Sequence, residues 1–325
     1  MTFSHWISAG LLLAAPVAAE PQRSAIDAIP AAAIDQATTA DEIALGRDRG
    51  DRMTVDVSVS GKGPYQFLVD TGSERTVISR QLADRLRLDN GRKAVVHSVF
   101  GATGINTVYI PELRVSGSKM SVVDAPALDA SHIGADGMLG TDSLQSQRVL
   151  FDFKTQTMSI TPSSKPVENL DGDTIVVRGK SRNGRLIFTQ ARIAGQKVTV
   201  IVDTGSQVTI GNLALQKRLT KRNIEFGPEP VAIETVTGEK FNARLARLDQ
   251  LELGGVILDD MAVAFADAHI FEQLDLENKP ALLLGMNAMR AFDRISIDFQ
   301  SRKIRFVLPG TSMRQSVRLA AASGI

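Results

Sequence analysis

Residues 67–73 read Phe-Leu-Val-Asp-Thr-Gly-Ser, and residues 200–206 read Val-Ile-Val-Asp-Thr-Gly-Ser. Three apolar residues in each copy form the end of a buried strand, and an Asp follows at the mouth of a tight turn. Gly72 and Gly205 admit a close backbone approach that a β-carbon would block. Neighbouring N–H groups and the Ser hydroxyl can then reach the carboxylate. One such segment is an ordinary capped turn. Its recurrence changes the reading, because other landmarks recur around it in the same order. Thr103-Gly104 returns as Thr237-Gly238, and Met138-Leu-Gly140 returns as Leu283-Leu-Gly285. Arg148-Val-Leu-Phe-Asp-Phe153 returns as Arg294-Ile-Ser-Ile-Asp-Phe299. Four collinear matches make the chain two homologous lobes.

The local pattern around these landmarks is β throughout. Met53–Ser60 alternates with period two, ends at a turn over Gly61–Pro64, and is followed by a strand over Tyr65–Val69. Residues 186–193 and 198–202 repeat that hairpin around Gly195. Helices are expected only over 79–87, 211–219 and 286–292. The predicted fold class is all-β, with two lobes related by a pseudo-two-fold axis and a cleft between them. Lobe 1 spans 49–161, a linker 162–172, and lobe 2 173–309. Residues 20–48 lack a clean strand pattern and read as an arm or propeptide, and 310–325 as a frayed tail.

A two-fold pair of such turns brings Asp70 and Asp203 face to face. Two carboxylates that close cannot both ionise cheaply, so they share one proton. One is then a base while the other is still an acid, which is what hydrolysis by water requires.

Composition removes competing chemistries. The 325 residues contain no cysteine, which excludes disulfides, thiolate zinc sites and a cysteine nucleophile. The four histidines stand far apart, at 5, 97, 132 and 269, so a two-histidine metal helix is absent. No metal and no cofactor are expected. With 37 basic and 36 acidic residues the net charge is +1, and aromatics make up 5%. Neither a nucleic-acid partner nor an anionic membrane is suggested. Residues 6–19, Trp-Ile-Ser-Ala-Gly-Leu-Leu-Leu-Ala-Ala-Pro-Val-Ala-Ala, are too short for a membrane span and fit the apolar core of a signal peptide. Cleavage after Ala19 would leave an exported, soluble, monomeric protein, periplasmic or secreted.

With these motifs in hand, the chain resembles the aspartic proteases of the pepsin and retropepsin type. The shared hallmark is apolar-apolar-Asp-Thr-Gly-Ser followed downstream by apolar-apolar-Gly before a short helix. Here it is carried by Leu68–Ser73 with Gly140, and by Ile201–Ser206 with Gly285. Short lobes and the run after Gly285 are similar to retropepsins, whereas two lobes in one chain are similar to pepsin. The resemblance covers about residues 50–308. It implies that Asp70 and Asp203 activate water and protonate the leaving amine. It implies that Thr71 and Thr204 interlock across the interface, and that Ser73 and Ser206 hydrogen-bond the outer oxygen of their own Asp. Ser at both positions implies a lowered carboxylate pKa and an acidic optimum.

The resemblance also implies flaps, β-hairpins that close over the peptide and bind its backbone. Residues 96–108 supply one, with Phe100, Gly101, Thr103 and Gly104. Residues 232–241 supply the other, with Val236, Thr237 and Gly238. A pepsin-type flap tyrosine has no counterpart. Asp142 and Asn287 read as helix caps, and Asp152 and Asp298 as strand residues meeting Arg148, Arg294 or backbone. The resulting expectation is an endopeptidase acting on a peptide or protein substrate. The alternative is a non-catalytic peptide-binding or adaptor protein on the same fold, which a damaged catalytic turn would favour; neither turn is damaged.

Overall fold

In lobe 1 the chain runs out along Met53–Val59, reverses over Ser60 and Gly61, and returns along Lys62–Val69 to Asp70. The computed structural model describes residues 33–34, 41–44, 46–47, 53–97, 102–115, 118–167, 173–182, 184–234, 240–309 and 317–320. Period-two alternation sends Val55, Val57 and Val59 into the core and leaves Asp56 exposed. The turn is tighter than the Gly61–Pro64 reading. Ser60 and Gly61 both have positive φ, 49° and 72°, and Val59 faces Lys62 across the ladder. Such two-residue turns match the twist of the paired strands, so Gly63 and Pro64 already belong to the returning strand. Lobe 2 repeats the design with Arg185–Ile193, the turn Ala194-Gly195 at φ 47° and 76°, and Gln196–Val202.

Each Asp-bearing strand is apolar on both faces because it lies in the middle of its sheet. Phe67–Val69 pairs in parallel with Gly137–Leu139, which also pairs antiparallel with Val77 and Ile78. Gln196–Val202 pairs in parallel with Ala281–Leu284, which also meets Ile210 and Gly211. A helix follows each Asp-bearing loop. Arg80–Leu86 is capped by the Ser79 hydroxyl, which accepts from the Leu82 N–H at 3.1 Å. Leu213–Thr220 is capped by Asn212, whose side-chain oxygen accepts from the Leu215 N–H at 2.8 Å.

The lobes join through a third sheet, in which Gln147–Asp152 of lobe 1 lies antiparallel to Arg294–Asp298 of lobe 2. The register places Arg148 opposite Asp298 and Asp152 opposite Arg294. The repeated Arg-x-x-x-Asp is therefore complementary to its own copy under two-fold rotation. Arg148 Nε meets Asp298 at 3.3 Å and Arg294 Nε meets Asp152 at 2.7 Å. The Arg148 guanidinium also donates to the carbonyls of Ser163, Lys165 and Pro166, tying down the start of the linker. One hydrophobic cluster runs from Val55 and Phe67 in lobe 1, through Phe151, Ile295 and Phe306 at the junction, to Val200 and Leu284 in lobe 2.

Both ends depart from the sequence pattern. Ala33–Ile34 pairs with Met120 and Ser121, Asp41–Ala44 with Thr157–Ile160, and Gly46–Arg47 with Met53 and Thr54. Val317–Ala320 runs parallel to Val256–Asp259. These short segments take their hydrogen bonds from sheet edges that already exist, so no periodicity of their own is needed. The expected signal segment 1–19 and residues 168–172 at the end of the linker lie outside the described residues. No helix among the described residues is long and apolar enough to cross a membrane.

Candidate active site

Each Asp-Thr-Gly turn is held from behind by the backbone of its own lobe. The Asp70 N–H donates to the Leu139 carbonyl at 3.0 Å, and the Asp203 N–H to the Leu284 carbonyl at 3.1 Å. The turns after Gly140 and Gly285 dock on the back of the loops in equivalent ways. The Thr141 N–H donates to Ser73 O and the Met286 N–H to Ser206 O, at 2.9 and 2.8 Å. A β-carbon on Gly140 would strike the Arg75 backbone, and one on Gly285 the Val208 carbonyl, which accounts for both glycines.

Asp142 and Asn287 behave differently from the capping reading. Gly140 and Gly285 are the N-caps, without side-chain bonds. Asp142 instead reaches back and accepts from the Thr76 N–H at 3.0 Å and the Thr76 hydroxyl at 2.8 Å. Asn287 does the same to Thr209, at 3.0 and 2.8 Å. The Thr76 and Thr209 hydroxyls in turn accept from the N–H of Gly140 and Gly285, each at 3.1 Å. Buried N–H groups at these turns need partners, and a side chain from the facing loop supplies them. Burial pushes the Asp142 carboxyl above its ordinary range, against the hydrogen bonds from Thr76 and the nearby Arg75 charge.

Across the interface the two loops lock together. The Thr71 hydroxyl donates to Val202 O at 3.1 Å and accepts from the Thr204 N–H at 3.1 Å. The Thr204 hydroxyl donates to Val69 O at 2.6 Å and accepts from the Thr71 N–H at 3.0 Å. All four partners are buried, so each hydroxyl replaces water for one N–H and one C=O of the opposite lobe.

This lock brings Asp70 and Asp203 into direct contact, 9% and 5% exposed. Gly72 packs against the Asp203 carboxylate and Gly205 against that of Asp70; a β-carbon at either would overlap the opposite carboxyl group. The Asp70 Oδ1 accepts from the N–H of Gly72 and of Ser73, both at 2.9 Å, whereas Asp203 Oδ1 accepts from the Gly205 N–H at 2.9 Å. Burial pushes the Asp203 carboxyl well above the ordinary carboxylate range, and the adjacent Asp70 charge and hydrogen bond push the same way. The Gly205 N–H and the Arg185 charge oppose the shift without cancelling it.

The serine hydroxyls do not reach the carboxylates. Ser73 Oγ donates to Arg75 O and Ser206 Oγ to Val208 O, each at 2.8 Å. The loop carbonyls two residues on are nearer partners, and on the Asp70 side a backbone N–H takes the place expected of the hydroxyl. Of the flap residues, Thr103 and Gly104 lie in Ala102–Val115, paired with Val96 and Val95. In lobe 2 the corresponding hairpin is Val231–Glu234 with Lys240–Leu248. Phe100, Gly101, Val236, Thr237 and Gly238 lie outside the described residues.

Arg185 is a site residue that motif reading missed. It opens the first long strand of lobe 2, is 5% exposed, and crosses to the lobe 1 catalytic loop. Its Nε donates to the Gly72 carbonyl at 2.5 Å, and its Nη1 pairs with the Glu74 carboxylate. The available signal was the repeat itself, since Arg52 stands as far before Asp70 as Arg185 stands before Asp203.

The arrangement is two opposed carboxyl groups of unequal environment in a buried, backbone-lined seat, one on each lobe. Comparison with known families agrees with it. An aspartyl protease family model matches residues 55–143 and again residues 189–288, together more than half of the chain. No curated protein matches the chain. The double match coincides with the two lobes, and the chain belongs to the aspartyl protease family, with a retropepsin-like unit in each half.

Proposed function

We propose that the protein is an aspartic endopeptidase in which Asp70 and Asp203 share one proton and activate a water for attack on a peptide carbonyl. The carrying observation is the contact of the two buried carboxyl groups on interlocked turns, with Asp203 displaced toward its neutral form. The proton rests on Asp203, whose partner accepts two backbone N–H groups. Asp70 takes a proton from the water as its oxygen bonds to the carbonyl carbon. Asp203 gives its proton to the carbonyl oxygen; as the C–N bond breaks, the amine nitrogen takes the proton held by Asp70 and the diol returns one to Asp203. Thr71, Thr204, Gly72 and Gly205 hold the carboxyl groups in register, and Ser73 and Ser206 brace the loops. Thr103 and Gly104, together with the flap tips, hold the extended peptide by its backbone. The proposal requires no cofactor. It places the mature protein in an exported compartment, periplasmic or secreted, as a monomer acting on unfolded polypeptide.

The test is digestion of an unfolded protein over about pH 3–8. Pepstatin-sensitive cleavage should appear, and Asp70→Ala and Asp203→Ala should each lower kcat by roughly 10⁴-fold or more. The pH profile should be a bell on the acid side of neutrality, its basic limb set by the proton on Asp203. Ser73→Ala should leave that profile in place, because the hydroxyl bonds a carbonyl and not the carboxylate. A wild-type protein inert throughout this range, or a maximum above about pH 7, would sink the reading.

A further inference from the structure

A cavity of about 590 Å³ opens beside the lobe 1 flap, within the roughly 300–1,000 Å³ that ligand sites occupy. It exists because two strands part company. Ala102–Val115 pairs with Ser118–Leu128 as far as Thr107 opposite Pro126. Beyond that point Gly104–Asn106 pairs only with the other flap strand, and Ala127 and Leu128 pair only with Ile78 and Ser79. The wedge between them therefore presents two strand edges that no ladder among the described residues uses, the arrangement an extended polypeptide can enter. Its floor is apolar, with Leu128 buried and Ile105 half-buried. Leu128 shares a cluster with Leu68, on the strand that leads to Asp70, and with Met138, on the strand paired with it. The floor of the wedge thus packs on the strand that leads to Asp70.

The rim is cationic. Arg80, Lys93 and His132 line it, together with Asp129. Asp129 is already engaged by Arg80 at 3.0 Å, by Gln81 and by Ser131, which hold its carboxyl far below the usual range. Among the described residues Lys93 and His132 form no ion pair. Lobe 2 does not repeat this arrangement, and its own helix histidine, His269, is engaged by Glu272 at 3.1 Å. Arg80 is the first residue of the helix after the lobe 1 catalytic loop, and the first residue of the matching lobe 2 helix is Leu213. An apolar floor below an unpaired ammonium suits a side chain with a methylene stem and a carboxylate tip.

We propose that this wedge is a recognition subsite for an acidic side chain of the polypeptide substrate, present on one side of the scissile bond only. The inference rests on the peptidase reading above, and its test separates the two. A peptide cleaved from unfolded α-lactalbumin is resynthesised with Glu, Gln or Lys at each position in turn on both sides of the scissile bond. At one position, on one side, the Glu peptide should exceed the Gln peptide in kcat/KM by about fivefold, the effect of a single ion pair. Lys93→Ala should bring that ratio near one, and Lys93→Glu should make the Lys peptide the better substrate. The same labelled peptides are also titrated by fluorescence anisotropy against the Asp70→Asn, Asp203→Asn double variant. A Glu preference in Kd without cleavage by the wild type leaves the subsite standing and removes the peptidase reading. A Kd and a kcat/KM without Glu preference overturn the subsite, as does a preference equal on both sides or one that survives Lys93→Glu.

Discussion

A methyl group on Gly72 would overlap the Asp203 carboxylate, and one on Gly205 that of Asp70. Each lobe thus leaves out an atom so that the other can place its acid. The energetic cost falls on Asp203, buried beside a like charge, and it has a definite sign. Its folded-state pKa lies above the ordinary Asp value of about 3.9. The folded protein therefore holds this proton more tightly than the unfolded chain does, and its contribution to stability fades as pH rises from about 4 through the raised value. Asp203→Asn removes the penalty. Its melting temperature should exceed that of the wild type near pH 7, and the gap should narrow toward pH 4. A variant less stable than wild type at pH 7 would contradict this account. Both Asp residues were legible as single letters in a repeated motif. Arg185 was not, because its importance is a contact with the carbonyl of Gly72 in the other lobe, and no local pattern encodes a long-range partner. The same holds for the serine hydroxyls, whose choice of carbonyl over carboxylate depends on loop geometry.

At the level of elements, the Asp-bearing loops are positioned by a buried network more than by their own turns. Thr76 shows why. Its hydroxyl donates to Asp142, contacts Ser143 at 2.5 Å and accepts the Gly140 N–H, and it is fully buried. Thr76→Val keeps the shape and removes every one of these bonds. The orphaned Gly140 N–H should cost about 1–3 kcal/mol, with a smaller addition for the bond lost at Asp142, which keeps the Thr76 N–H, read as a lowered urea midpoint, with reduced kcat because the loop loses its backing. Thr209→Val should do the same in lobe 2 through Asn287, which carries no charge, and its cost should be the smaller of the two. Central strands such as Phe67–Val69 and Val200–Val202 were readable because burial on both faces demands an unbroken apolar run. Ala33–Ile34, Asp41–Ala44 and Val317–Ala320 were not, since an edge strand added to a finished sheet needs no pattern of its own.

For the whole molecule, the decisive feature is the sheet in which Gln147–Asp152 meets Arg294–Asp298. It makes one core of two lobes, with Phe151 fully buried at the seam. Phe151→Ala should cost about 3–5 kcal/mol. By calorimetry it should lower one shared unfolding transition; a split into two transitions would mean that the lobes fold independently. The sequence by itself determined the two-lobe plan, the β class and the two acids, because each repeats at nearly constant spacing and strand periodicity is a local property. Tertiary structure alone decided which atoms face which: the hydroxyl lock of Thr71 and Thr204, the seat of Arg185, the crossing of Arg148 to Asp298, and the inequality of the two Asp environments. These depend on one lobe meeting the other. A repeat announces that two halves are alike, and only their packing determines where they differ.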